Sequence, residues 1–154
     1  MSENVFINMK NRSHTISAEV EVPTQGASGV ILAQAGRFGG WSLYLEGGKP
    51  TYTYNWLGLQ RYTVAAKQAL PAGKATIRFD FAYDGGGLGQ GGTGTLFVNG
   101  KEIAAGRIDR TQCCAFSADE GADVGADEGT PVTEAYQVPF TFTGTIAKVT
   151  IDLK

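Results

Sequence analysis

Apolar and polar residues alternate along Ala75–Tyr83, and this alternation constrains the fold more than any other feature of the chain. Ile77, Phe79, Phe81 and Tyr83 share one parity, and the residues between them are mostly polar. Successive side chains of a β-strand point to opposite faces, so the pattern predicts a strand with one buried face and one wet face.

The same period appears in most of the chain. His14–Val22 alternates until Pro23 ends it, and Val149, Ile151 and Leu153 alternate with polar neighbours. No segment of ten or more residues has a helical period; the nearest candidate, Val64–Leu70, is closed by a proline and a glycine. The pattern predicts an all-β fold, a two-sheet antiparallel β-sandwich formed by one domain over 1–154. Further strands are predicted at Val30–Gln34, Trp41–Leu45, Thr51–Trp56, Thr95–Val98 and Glu102–Ile108, with a hairpin at Asn99-Gly100.

Charge and hydropathy exclude several partners. The net charge is −2 and no basic run occurs. The main source of affinity for nucleic acid is the neutralisation of phosphates by clustered Lys and Arg, and the sequence contains no such cluster. No apolar stretch approaches the roughly 20 residues that span a bilayer, and Met1–Ile7 is too short for a signal-peptide core. We therefore predict no nucleic-acid partner, no membrane partner and a cytoplasmic location.

The side chains that usually carry catalysis are scarce. His14 is the only histidine and stands on the apolar parity of its strand, which favours a packed position. Cys113 and Cys114 are adjacent; neighbouring cysteines pair only through a strained eight-membered ring, so free, buried thiols are predicted. Gly87–Gly92 matches G-x-G-x-x-G, but a strand follows it instead of a helix, which indicates a hairpin loop. No catalytic residues are predicted.

Five carboxylates occur within the eleven residues Asp119–Gly129. Their spacing does not match an EF-hand, and a solvated acidic loop is the favoured interpretation. The alternative is a calcium site in which Asp119, Asp123 and Asp127 supply carboxylate oxygens. No cofactor is required for the fold.

Aromatic residues cluster between Trp41 and Tyr62, and their parity assigns most of them to the core. Four residues in this region are candidates for ligand binding: Arg37, Asn55, Trp56 and Arg61. An aromatic ring stacks on a sugar, and arginine forks match sulfate or carboxylate oxygens. The alternative is that Arg37 and Arg61 brace their loops through backbone carbonyls.

Four strings resemble the C-terminal region that follows the catalytic domain of bacterial arylsulfatases. They are Gly36–Tyr44, Tyr54–Tyr62, Phe81–Gly89 and Phe116–Val132, and they cover most of the chain from about Gly29 onward. The resemblance implies a concanavalin A-like jelly roll, and the run Trp41–Leu45 is also similar to laminin G domains, which share that sandwich.

Neither sulfatase nor glycosidase activity accompanies the resemblance. The sulfatase motif C/S-x-P-S/T-R is missing, since Cys113–Ser117 lacks its proline and arginine. Glu19-Val20-Glu21 lacks the third acid of the E-x-D-x-x-E pattern. The expected function is a non-catalytic module that binds an anionic glycan or another polar ligand. The alternative is a structural or protein-interaction domain that self-associates, for example as a homodimer, through a sheet face or edge.

Overall fold

A computed structural model describes residues 8–114, 121–127 and 130–154, which form two antiparallel five-stranded sheets. The first sheet has the order β10-β1-β6-β7-β8 and the second β5-β4-β3-β2-β9. The strands are β1 His14–Val22, β2 Gly29–Gly36, β3 Gly39–Glu46, β4 Lys49–Trp56, β5 Gln60–Ala65, β6 Gly73–Tyr83, β7 Gly92–Val98, β8 Lys101–Ile108, β9 Ala122–Val124 and β10 Thr145–Leu153. The two-sheet antiparallel sandwich predicted from the sequence is confirmed.

The core lies between the two sheets and is built from the predicted apolar parities. Ile77 and Phe79 of β6 are fully buried, and the Tyr52 ring of β4 stacks on Phe79 with ring centroids 3.6 Å apart. Trp41 and Leu43 of β3 belong to the same cluster. Burying large aromatic and aliphatic side chains on both inner faces holds the sheets together.

The outer face of the second sheet is also covered. Residues 130–142 cross it, and the Tyr136 ring meets the Tyr44 ring edge-on at 5.1 Å. The Tyr136 hydroxyl oxygen lies 3.1 Å from Ser42 Oγ, within hydrogen-bond distance, and this polar outer serine is also buried. Both faces of β3 are therefore covered.

One end carries several loops that are joined by a single segment. We call this the loop end and define it as residues 37–38, 57–59, 84–91 and 109–114. The backbone N–H of Gln112 donates to Tyr54 Oη at 2.8 Å, and Gln112 Oε1 accepts from the Leu57 N–H at 3.4 Å. Thr111 Oγ1 donates to the Gln90 carbonyl at 2.6 Å. The segment thereby ties loops of both sheets together.

The sequence pattern missed two strands. Gln60–Ala65 forms β5 and pairs with β4, although its alternation is short and merges with the segment that looked weakly helical. The three-residue β9, Ala122–Val124, pairs with β2 and lies within the acidic segment. Both lie at the edge of the second sheet, where pairing on one side requires less apolar patterning.

Candidate functional site

Asn55 organises the loop end from within. It is fully buried, and its amide reaches four backbone groups on three segments of chain. Nδ2 lies within donor distance of three carbonyls and Oδ1 accepts one N–H: Gly36 O at 3.2 Å, Arg37 O at 2.9 Å, Val132 O at 2.9 Å and Gly58 N at 2.8 Å. These bonds fix the β2–β3 and β4–β5 turns against each other and leave the amide unexposed to solvent.

Arg61 faces the same side of the sheet, because it pairs directly with Asn55 across β4 and β5. Its Nη1 donates to the Gly58 carbonyl at 3.0 Å, which is the bracing contact considered from the sequence. Nη2 lies 3.9 Å from Glu134, and the Arg61 side chain keeps 22% of its surface exposed. Arg61 therefore supports the β4–β5 turn while its Nε is buried and a minor part of the side chain stays open to solvent.

Arg37 lies in the two-residue turn between β2 and β3. Its backbone is tied down, since the N–H donates to Thr130 Oγ1 at 2.9 Å and the carbonyl accepts from Asn55. The residue itself is exposed. A fixed backbone with an exposed guanidinium group suits an arginine that meets a ligand from solution.

Trp56 is separated from these residues by the sheet. It follows Asn55 and therefore faces inward, where it packs, half-buried, against the core. The Arg110 guanidinium carbon lies 5.1 Å from the centroid of the Trp56 ring, within cation–π range. Sequence reasoning missed Arg110, because no local pattern connects residue 110 with a strand more than fifty residues earlier.

The cysteine prediction is wrong. Cys113 and Cys114 form a disulfide with each other, and both are exposed at the loop end. Asn11 Nδ2 donates to the Cys113 carbonyl at 2.7 Å and helps to hold this segment at the surface. Strand side chains fill the core in which thiols would have packed. Because disulfides persist mainly in oxidising surroundings, the cysteines give no support to a cytoplasmic location.

The predicted calcium ligands are in different environments. Asp119 lies outside the described residues, Asp123 is half-exposed on β9, and Asp127 is fully buried. The Asp127 carboxylate accepts from the Val132 N–H at 3.2 Å and from the Tyr136 hydroxyl. Burial, followed by this carboxylate, raises the pKa of Tyr136 well above its usual value of 10. Among the residues that the structure describes, no three His, Cys, Asp or Glu side chains stand together as metal ligands.

Solved structures with similar folds include laminin LG domains, a CBM40 domain and a pentraxin. Domains LG4–5 of the mouse laminin α1 chain align with a TM-score of 0.70 at 13% identity, over 97% of this chain and 38% of that one. The Ruminococcus gnavus IT-sialidase CBM40 bound to α2,3-sialyllactose aligns at 0.63 and 14% identity, over 94% and 77%. The pentraxin of Limulus polyphemus aligns at 0.55 and 12%, over 91% and 63%. The concanavalin A-like jelly roll is thereby confirmed.

Comparisons of sequence add nothing to this. No protein-family model matches the chain, and no curated protein matches it. The arylsulfatase resemblance stays a prediction. Over the described ranges the structure contains no helix that is long and apolar enough to cross a bilayer.

Proposed function

We propose that this chain is a non-catalytic module that binds acidic glycans at its loop end. The observation that carries the proposal is that Arg37 and Arg61 both lie beside the β4–β5 turn, while Arg110 and Trp56 lie on the opposite face of the sheet at the same turn. Gly58 lies between Arg37 and Arg61. Its carbonyl accepts from Arg61, and a Cβ added to it would lie 3.0 Å from the Arg37 carbonyl oxygen. Planar guanidinium forks pair in bidentate geometry with the carboxylate of a sialic acid or with a sulfate.

The neighbours support the ligand class. Sialyllactose, the sugar bound to the CBM40 of IT-sialidase, carries one carboxylate on an otherwise neutral oligosaccharide. The two chains share a fold at 14% identity, and a shared fold does not imply a shared ligand. The proposal of an acidic sugar therefore depends on the arginines of the present chain.

Each of the four predicted ligand residues has a different part in the proposal. Arg37 contacts the acidic group of the sugar directly. Arg61 contributes to the same contact and braces the β4–β5 turn. Asn55 positions both turns from below, and the half-buried Trp56, with Arg110 above its ring, provides the border against which a sugar ring packs.

The test uses a glycan array of neutral, sialylated and sulfated sugars, followed by calorimetry with sialyllactose and with lactose. Arg37→Ala should weaken sialyllactose binding by about tenfold to a hundredfold, since a charge-assisted contact contributes about 1.5–3 kcal/mol. Its Tm should stay near that of the wild type. Arg61→Ala should lower both affinity and Tm.

A matched control is Arg78→Ala. Arg78 lies on the other sheet, 3.1 Å from Asp80 and over the Phe97 ring, so its removal should leave glycan affinity unchanged. Absence of binding to every acidic glycan would refute the proposal. Equal losses in Arg37→Ala and Arg78→Ala would remove the loop end as the site.

Self-association is a second candidate because β10 is an exposed strand edge. Thr145–Leu153 pairs only with β1 in the described part of the chain, and none of its nine residues is buried. Edge-to-edge pairing of two copies would extend the first sheet across a two-fold axis. Light scattering at increasing concentration should then give a dimer, and a constant monomer mass would exclude it.

A further inference from the structure

Three exposed apolar side chains stand together at the loop end, which we call the apolar tip: Phe38, Leu57 and Leu59. Their exposed fractions are 71%, 47% and 74%. They lie on adjoining turns, since a Cβ added to Gly58 would be 3.7 Å from the Phe38 ring. Half of the six large apolar side chains that are exposed in the described ranges belong to this one surface. Apolar groups collected at an exposed tip mark a contact surface.

The turn that displays Leu57 is unfavourable for leucine. Leu57 and Gly58 have φ angles of 55° and 72°, and the Leu59 N–H donates to the Trp56 carbonyl at 2.9 Å. Positive φ at both central residues defines a type I′ turn, in which Asn-Gly is preferred. A leucine has no short polar side chain to compensate for the left-handed backbone.

The β7–β8 turn of the same chain provides an internal comparison. It places Asn99 and Gly100 at the equivalent positions, with φ angles of 51° and 82°. Asn99 Oδ1 also accepts the Thr76 N–H at 2.9 Å. The two turns thus share left-handed φ angles at two successive residues, although three residues separate the pair Trp56–Gln60 and two separate the pair Val98–Lys101. They differ in the first left-handed residue. Turn chemistry accounts for Asn99 and gives no reason for an exposed leucine at 57.

In the described part of the chain, three arginines lie near the apolar tip, together with the acidic residues Asp109 and Glu134. Arg37 precedes Phe38 in its turn, Arg61 holds the carbonyl of Gly58, and Arg110 lies over Trp56. The acidic side chain within ion-pair distance of Arg61 is Glu134, at 3.9 Å. Apolar side chains that project beyond a group of arginines match a bilayer interface, in which anionic headgroups overlie acyl chains.

We propose that the apolar tip enters the interface of a bilayer whose acidic glycolipids occupy the neighbouring arginines. The ligand is then a membrane-anchored acidic glycan, and this inference rests on the proposed function. It reverses the sequence-based prediction of no membrane partner, which depended on the missing spanning segment. Two loop tips that dip into an interface need no spanning segment.

The experiment compares three probes with the full chain. They are free sialyllactose, phosphatidylcholine vesicles that contain a sialylated glycosphingolipid, and phosphatidylcholine vesicles that contain phosphatidylserine. Cosedimentation should show binding to the glycolipid vesicles that is stronger than binding to the free sugar by about tenfold or more, because sugar and apolar contacts form together. The phosphatidylserine vesicles should bind far less.

Leu57→Asn separates the inference from a merely structural role of the leucine. It should raise Tm, because asparagine suits the left-handed turn position, yet it should weaken binding to glycolipid vesicles several-fold. Affinity for free sialyllactose should not change. Phe38→Ser should act on vesicle binding in the same way. Val124→Thr is the control, since it removes an equally exposed apolar group, 63% accessible, on β9.

The outcomes distinguish this inference from the proposed function. If free and membrane-bound glycans bind equally and Leu57→Asn changes neither, the apolar tip is not a membrane contact, although glycan binding stands. Equal binding to phosphatidylserine vesicles would overturn the glycolipid as the ligand. If no sialylated probe binds in any form, the proposed function itself fails.

Discussion

His14 should make the stability of the fold depend on pH in a window where few other groups titrate. It is the first residue of β1, 6% exposed, and its ring lies 5.4 Å from the Phe81 ring. Nδ1 lies 3.3 Å from the Arg12 carbonyl, so the bound proton resides on Nδ1. Nε2 is buried, and no described residue forms a hydrogen bond with it. The packed position predicted from the sequence is confirmed.

Burial lowers the pKa of His14 from 6.5 to about 4, although its hydrogen bond to the Arg12 carbonyl acts in the opposite direction. The unfolded chain binds a proton near pH 6.5, and the folded chain does so only near pH 4. The contribution of neutral His14 is therefore fully present above pH 6.5 and is lost as the pH falls through this window. The shift corresponds to about 3 kcal/mol in total, of which about 2 kcal/mol falls between pH 7 and pH 5.

Urea denaturation followed by tryptophan fluorescence measures this directly, since Trp41 is fully buried in the folded state. The free energy of unfolding of the wild type should fall by about 2 kcal/mol from pH 7 to pH 5. His14→Phe keeps a ring in place and removes the titration. The free energy of unfolding of this variant should be nearly constant between pH 5 and pH 7, whatever its absolute value.

Asp84→Asn serves as the control. The hydrogen bond from Arg107 holds the pKa of Asp84 below its usual value of 3.8, so Asp84 titrates below the window. The slope of this variant between pH 5 and pH 7 should equal that of the wild type. The interpretation of His14 as a buried neutral histidine would be refuted if the free energy of unfolding of the wild type did not change with pH. It would also be refuted if His14→Phe kept the change.

Three further predictions concern the loop end and the acidic segment. Thiol titration of unfolded, unreduced protein should detect no free thiol, because Cys113 and Cys114 are bonded; two reactive thiols would contradict the disulfide. Asn55→Ala should lower the free energy of unfolding by about 3 kcal/mol, since several loop groups lose their buried partner, and an unchanged Tm would show that the turns do not need it. If Asp119, Asp123 and Asp127 hold calcium, the metal should raise Tm and magnesium should raise it less; no calorimetric heat together with an unchanged Tm would favour the solvated loop.

The sandwich was predictable because the alternation of apolar and polar residues that specifies each strand lies within that strand. The alternation in Ala75–Tyr83 assigns a face to each residue without knowledge of any partner strand, and β6 indeed buries Ile77 and Phe79. The hairpin at Asn99-Gly100 is likewise encoded in two residues whose preferred backbone is the one observed. Where the local preference of a segment agrees with the global fold, the sequence of that segment is enough to predict its structure.

The loop end was less predictable because its interactions connect distant residues. Asn55 fits an exposed ligand contact by composition, but the structure turns it toward carbonyls as far along the chain as Val132. Arg110 reaches Trp56 only because the segment after β8 crosses between the sheets. The ligand-binding role of these residues stays a prediction, and their orientation depends on contacts that a single segment does not contain.

Leu57 shows a different limit, because local preference and observed backbone disagree. Leu-Gly after an aromatic strand gives little turn signal, and the left-handed φ of Leu57 becomes visible only when β4 and β5 are seen to pair on either side of it. The pairing of β4 with β5 and the bond from the Gly58 N–H to Asn55 Oδ1 hold the turn that contains this leucine. The Leu57 side chain stays 47% exposed. A residue that opposes its own turn and is nevertheless exposed is best explained by what it contacts outside the chain.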